Sequence, residues 1–261
     1  TLHYHQENVH DFAWFADKRY YVLKGEVELP HSKNKVTTWA MFTNNEAKLW
    51  EKSIEYLNDA TYYYSLWNGD YPYKHVTAVD GSISAGGGME YSNITVIGES
   101  YSAFSLEQVI VHEVGHNWFY GILGSNARQH AWMDEGLNTF TENRYTETKY
   151  PEMDLGGIGL PKGIMAKSGL NVYGPRGMYD LGYLFNARRN YDQPIETVSQ
   201  DFTPTNYGAI VYGKTGIGMD YMLAYLGDNL FNKCMHVYFD KWKFKHPQPD
   251  DLRDVFQSVT G

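Results

Sequence analysis

At 261 residues, with 43% hydrophobic and only 20% charged positions, the chain has room for one large domain with a full core, and its composition excludes a disordered polymer. A net charge of −9 excludes the clustered cationic face that phosphate binding requires, so no nucleic-acid partner is expected and a cationic ligand group suits the chain better. The single cysteine, Cys234, sits among apolar neighbours, reads as core and excludes an internal disulfide. No apolar run of ~18 residues could span a bilayer, and a start at Thr1 without Met or a signal pattern reads as a mature or trimmed segment.

In chain order, YYVLKGEVEL and KVTTWAMF between Tyr20 and Phe42 are rich in β-branched and aromatic residues and broken by Gly and Pro, which predicts strands. From Asn44 or Asn45 as cap to Gly69 as stop, apolar Leu49, Ile54 and Leu57 predict one long amphipathic helix. KHVTAVDG and NITVIGES read as two short strands around the run Gly86, Gly87, Gly88. Ser105 followed by Gln108 has capping-box spacing and predicts a helix from about Ser105 to Tyr120 that stops at Gly121. A second helix is expected from Asp134 as cap, the span from Pro151 to Pro175 is expected to be an irregular connection, and helices are expected again after Tyr207. One domain over 1–261 follows, with a strand-rich lead-in at 1–43, an α/β part at 44–150 and a mainly helical part at 151–261.

The stretch VHEVGHNWFY, residues 111 to 120, puts His112 and His116 four apart on a predicted helix, where both imidazoles project from one face. Two ligands hold a metal poorly, and on this pattern alone a hydrogen-bonded histidine pair in a core helix remains an open alternative. Glu113 is placed to reach a water on the metal but not to be the third ligand. After eighteen intervening residues beyond His116, Glu135 in AWMDEGLNTFTENRY supplies the missing donor. His, His and Glu make a three-ligand zinc set with the fourth position left for water. Glu142, seven residues on and on the same helix face, could accept a hydrogen bond from the far nitrogen of a ligand histidine, or be a solvated helix glutamate.

HExxH, eighteen residues, then E within WMDEG resembles the gluzincin metallopeptidases of the aminopeptidase N and leukotriene hydrolase family. GGGMEY at residues 86 to 91 is similar to that family's G-x-M-E-N motif, IVYGKTG at residues 210 to 216 to its Y-x-K-G motif, and ENVHDFAWFAD to its entry into the catalytic domain. The resemblance covers nearly the whole chain. It implies an α+β, thermolysin-like zincin domain with a strand-bearing N-terminal lobe and a mainly helical C-terminal lobe, holding one Zn2+ on His112, His116 and Glu135. It implies an aminopeptidase acting on peptides with a free N-terminus: Glu113 exchanges protons, Tyr212 donates to the developing oxyanion, Glu90 pairs with the substrate α-ammonium, and Gly87, Gly88 and Met89 present a backbone edge. Among 23 tyrosines only the YGKTG context singles out Tyr212. Two departures stand out: Tyr91 replaces the motif's asparagine, and the chain is too short for the β-rich and helical domains that usually flank this one. The competing expectations are an endopeptidase with the same zinc site, which Glu90 argues against, and a non-catalytic zinc-binding domain needing its missing flanking domains, which the joint presence of Glu113 and Tyr212 argues against.

Overall fold

A computed structural model describes residues 3–83, 86–155, 162–170 and 173–261. Its contacts divide the chain into two compact units, Thr1–Ser125 with Asn232–Gly261, and Asn126–Phe231.

The first unit is built on a five-stranded sheet in the order β1-β2-β3-β5-β4, from β1 (Tyr21–Glu28), β2 (Lys35–Phe42), β3 (His75–Asp80), β4 (Gly88–Met89) and β5 (Ile94–Ile97). The outer pairs β1/β2 and β4/β5 are antiparallel, and the inner pairs β2/β3 and β3/β5 are parallel. The central β3 is buried along HVTAVD apart from its two ends, as expected of a parallel strand covered on both faces. β2 instead alternates, burying Val36, Thr38, Ala40 and Phe42. The helix α2 (Ser53–Asn68) packs on that face: a Cβ on Gly25 would lie 2.3 Å from Ile54 Cγ2, and Thr38 Oγ1 donates to Asn58 Oδ1 at 2.8 Å. Gly25 is therefore the residue that lets helix meet sheet. The predicted long helix is broken, because residues 51 and 52 form a turn between α1 (Ala47–Trp50) and α2. Neither Asn44 nor Asn45 caps it; Glu46 precedes α1 and accepts from the Ser100 backbone N–H at 2.7 Å.

The zinc-motif helix α3 runs Ala103–Gly115. Its cap is Ser102, not Ser105: Ser102 is extended (φ −154°, ψ 162°) and its hydroxyl accepts the Ser105 N–H at 3.0 Å. The helix also ends before Tyr120, since Gly121, Ile122 and Leu123 donate to the carbonyls of His116, Asn117 and Trp118, each five residues back, a wider turn than α permits. Below it Trp118 stacks near Tyr64 and Tyr71 (5.4 and 5.2 Å between ring centroids) and its indole N–H donates to Gly69 O at 2.8 Å. Two C-terminal helices complete this unit. α9 (Asp228–Trp242) carries the chain back into it, with Cys234 buried, and α10 (Pro249–Thr260) begins with a capping box between Gln248 and Asp251. Gly69 adopts φ +130°, and a Cβ there would lie 2.4 Å from the Phe239 ring of α9.

The second unit is helical. A π turn at Trp132–Gly136 opens into α4 (Leu137–Lys149); α5 (Lys162–Ser168), α6 (Gly177–Ala187) and α7 (Pro204–Asn206) follow, then a π segment at Tyr207–Lys214 and α8 (Thr215–Leu226). Asp134 is not an N-cap: it is buried inside the π turn, which starts two residues earlier. The span from Pro151 to Pro175 is not wholly irregular, since it contains α5; residues 156–161 and 171–172 of it lie outside the described residues. Its Gly and Pro content masked a short helix, and α6 was not anticipated. Around Ala131, Phe202, Ile210 and Val211 a small core gathers Tyr183, Ile195, Tyr207 and Tyr212. Arg176 bridges Glu147 and Asp220, and Arg144 pairs with Asp228. Among the described residues no helix is long and apolar enough to cross a membrane.

Burial lowers the pKa of His75, and burial lowers that of His236 although its ring nitrogen lies 3.0 Å from Leu66 O; the His31 ring, packed edge-on at 4.9 Å, pushes His236 the same way as burial. A histidine held neutral by the fold takes up its proton more readily once unfolded. Stability is therefore full above the unfolded histidine pKa of ~6.5 and falls as pH drops below it. Urea midpoints measured from pH 7.5 to 5 should decline below pH 6.5, and less steeply in His236→Asn; parallel curves would remove His236 as a source.

Candidate metal centre and active site

In the first unit, α3 presents His112 and His116 with their Nε2 atoms 3.1 Å apart and their rings nearly perpendicular at 83°. Zinc–nitrogen bonds of ~2.0–2.1 Å at tetrahedral angles hold two nitrogens about 3.3 Å apart, so this pair fits one shared ion. The wide turn after α3 sets the tautomer: His116 Nδ1 lies 3.1 Å from Phe119 O, which holds the proton on Nδ1 and leaves the Nε2 lone pair for a metal. Asn117, absent from the sequence reading, fixes the same helix end. Its Oδ1 accepts from the Asn93 N–H at 2.9 Å and from the Tyr71 hydroxyl at 3.3 Å, while its Nδ2 donates to Val114 O at 2.9 Å. A polar residue directly after HExxH and before an aromatic pair was the available signal.

The same unit brings Glu90 to this helix: donor atoms of Glu90, Glu113 and His116 all lie within 4.8 Å of one another. Gly88 makes this possible, because a Cβ on it would fall 2.4 Å from Glu113 Cγ and 2.6 Å from Oε1. The backbone of β4 thus rests on the buried Glu113 carboxylate. Gly86 and Gly87 take left-handed φ of +74° and +70°, values that favour glycine, and the Gly87 carbonyl accepts from Gly98 N at 2.7 Å. Among the described residues β4 is an edge strand, paired with β5 alone. Side chains alternate across it: Gly88 faces Glu113, whereas Met89, opposite Val96, lines with Tyr91 a cavity of ≈ 600 Å³ walled by Phe15, Tyr20 and Ile83.

In the second unit Glu135 sits on the π turn, and the Tyr212 hydroxyl from the Tyr207–Lys214 segment donates a hydrogen bond to its carboxylate. Burial first, then the Glu135 charge and that hydrogen bond, push the Tyr212 phenol well above its ordinary range. Gly136 allows the approach, since a Cβ there would lie 2.5 Å from Thr215 Cβ and from Val211 O. Tyr179 of α6, which sequence reasoning missed, is also pushed up, chiefly by the Glu142 charge, then by burial and Glu135. Glu142 is therefore a buried carboxylate beside a phenol and not a solvated one.

The sequence profile of the Peptidase family M1 domain matches residues 50–261. The chain belongs to peptidase family M1. Curated relatives include a probable aminopeptidase 2 of Sulfurisphaera tokodaii, 22% identical over 81% of this chain and 26% of its own length, and aminopeptidase Q of Mus musculus, 24% identical over 74% of this chain and 35% of its own. The chain thus spans about a quarter to a third of these relatives. Among solved structures, a two-domain M1 zinc metallopeptidase bound to L-arginine superposes with a TM-score of 0.66 at 16% identity, and an M1 zinc metallopeptidase of Deinococcus radiodurans bound to the substrate Tyr-Ser-Ala with 0.64 at 16%; each covers 93% of this chain and 49% of the other. The fold expectation holds, a strand-bearing N-terminal lobe with helical C-terminal elements, and the metal of the family is zinc.

Gly88→Ala should cost about 1–3 kcal/mol, the usual penalty for forcing a methyl into a packed site, as read by urea denaturation. An unchanged midpoint would show that β4 does not rest on Glu113.

Proposed function

We propose that this M1 domain is the catalytic part of a zinc aminopeptidase that removes N-terminal residues from peptides with a free amino group. The observation that carries this reading is the placement of Glu90 within 4.8 Å of Glu113 and His116. An anionic group beside the proton-transfer carboxylate is where a substrate ammonium would be held, with the first peptide bond one residue further on. Glu90 argues against an endopeptidase, whose substrates present no terminal ammonium at that place.

His112, His116 and Glu135 would hold the ion. The converging imidazole nitrogens, the tautomer fixed by Phe119 and the eighteen-residue spacing to Glu135 support that set. Zinc there supplies Lewis acidity, lowering the pKa of a water toward ~7 and polarising the scissile carbonyl. Glu113 takes a proton from the attacking water and returns one to the leaving amine, a task for a carboxylate held apart from solvent. The Tyr212 hydroxyl, kept protonated chiefly by burial, would turn its one O–H from Glu135 to the oxyanion when Glu135 holds the ion. The open edge of β4 at Gly88 and Met89, with Gly87 leading into it, hydrogen-bonds the extended peptide backbone, as exposed sheet edges do. Domains flanking this one in a longer protein would complete the enclosure of the substrate; the short span relative to the curated relatives supports this.

Free and N-acetylated aminoacyl arylamides, assayed with chelator and with zinc restored, test the proposal. Zinc-dependent cleavage confined to free amines is expected, and equal cleavage of acetylated substrates would refute the role of Glu90. Glu113→Gln should keep stoichiometric zinc and lose about 10²–10⁴ in kcat, the span of general acid–base contributions; wild-type turnover would remove Glu113 from the mechanism. Tyr212→Phe should lower kcat by about 10²–10³ at unchanged zinc content.

A further inference from the structure

The start of the turn that carries Glu135 is gripped by one carboxylate from elsewhere in the second unit. Glu196 places Oε2 2.7 Å from His130 Nδ1 and Oε1 2.6 Å from Trp132 Nε1. An ionised carboxylate only accepts, so both ring N–H groups donate to it. The loop that bears Glu196 is itself fixed to the same strip of chain. Ser199 donates from its N–H to Arg128 O at 3.0 Å and from its hydroxyl to Ala127 O at 2.6 Å. Thr197 closes the loop on Pro194 O with its N–H at 3.1 Å and its hydroxyl at 2.7 Å. Residues 196–199 are thus bonded along residues 127–132.

This strip leads directly into the π turn: Trp132 is its first residue and Glu135 comes three later. π turns are rare and occur at functional sites, where their wider backbone is kept by its surroundings. The far end is already wedged, at Gly136 against Thr215 and Val211; Glu196 secures the near end through two rings at once. The Glu196 side chain is 46% exposed, so its ion pair with His130 is screened and adds little stability. What two fixed acceptor atoms contribute is orientation.

We propose that Glu196 is a positioning residue for the metal: by accepting from His130 and Trp132 together it sets the register of the π turn and so aims the Glu135 carboxylate. The proposal rests on the assignment of Glu135 as a ligand. Loss of a partner bonded directly to a ligand costs about 10–100-fold in metal affinity, which bounds from above the effect of Glu196, one bond further out.

Zinc dissociation constants of the full chain, measured by competition with a chromophoric chelator, test this in Glu196→Ala, Glu196→Gln, Trp132→Phe, the double variant Glu196→Ala/Trp132→Phe, and Glu135→Ala. The thermal midpoint is measured alongside, in excess chelator. Glu196→Ala should weaken zinc by up to about 10-fold, the lower end for direct partners, with no matching fall in that midpoint, and Glu196→Gln, which keeps one acceptor, should recover part of the loss. The double variant should be no weaker than the weaker single one, because both remove the same contact. Glu196→Ala with affinity within about twofold of the parent, or losses that add in the double variant, would overturn the clamp while a weakened Glu135→Ala kept the ligand assignment. Parent affinity in Glu135→Ala would overturn that assignment itself.

Discussion

The arrangement depends on crowding acids next to a histidine. Glu90 and Glu113 hold carboxylate oxygens within 4.8 Å of each other and of a His116 nitrogen, and Glu113 is buried. Like charges this close in a desolvated place oppose ionisation unless a cation or a tight set of donors compensates them. The fold imposes the proximity on them: Gly88 brings a strand backbone onto the face of Glu113, where a Cβ would force the Glu113 side chain to shift. A divalent ion and a substrate ammonium are the two positive charges that relieve such a site, and both belong to the proposed reaction.

Turns wider than α recur at the three helical segments that carry His116, Glu135 and Tyr212. After α3 the chain bonds five residues back, which brings the Phe119 carbonyl to His116 Nδ1. Glu135 and Tyr212 each lie on a π segment, at Trp132–Gly136 and Tyr207–Lys214. Such turns shift side chains off the regular 100° spacing and are kept where they serve function. Their cost is met by neighbours such as the Asn117 bonds to Asn93, Tyr71 and Val114. This is why so many polar side chains near the site bond to backbone.

Strands β1, β2, β3 and β5 and the helix that bears His112 were legible in the sequence because they depend on local periodicity and on spacing, whereas the two-residue β4 lies within the glycine run and has no such pattern. The errors have a common origin. Ser105 was read as the cap in place of Ser102, Asp134 as a cap when it lies inside a turn, and α3 was extended to Tyr120. Each concerns a boundary where tertiary hydrogen bonds override propensity, and π geometry has no compositional signature. α5 was hidden by glycine and proline around it, and α6 offered no capping signal, since Arg176 makes no side-chain cap. Tyr179 and Asn117 could not be singled out, because their partners, Glu142, and Asn93 with Tyr71, are distant in sequence.

The substitution of Tyr91 for the motif's asparagine is accounted for by strand alternation. On β4 and just beyond it, Gly88 and Glu90 turn toward α3, while Met89 and Tyr91 turn toward the cavity lined by Val96, Phe15 and Tyr20. A period of two assigns chemistry to one face and leaves the other free to vary. Replacing a small amide by a phenol on the far face adds aromatic surface to that cavity, whose other walls already include aromatic side chains, and leaves the donor atoms of Glu90, Glu113 and His116 where they are. A one-residue slip between β4 and β5 would exchange the two faces and withdraw Glu90 from Glu113, so the pairing of Gly88 with Ile97 and Met89 with Val96 is itself a requirement of the role proposed for Glu90.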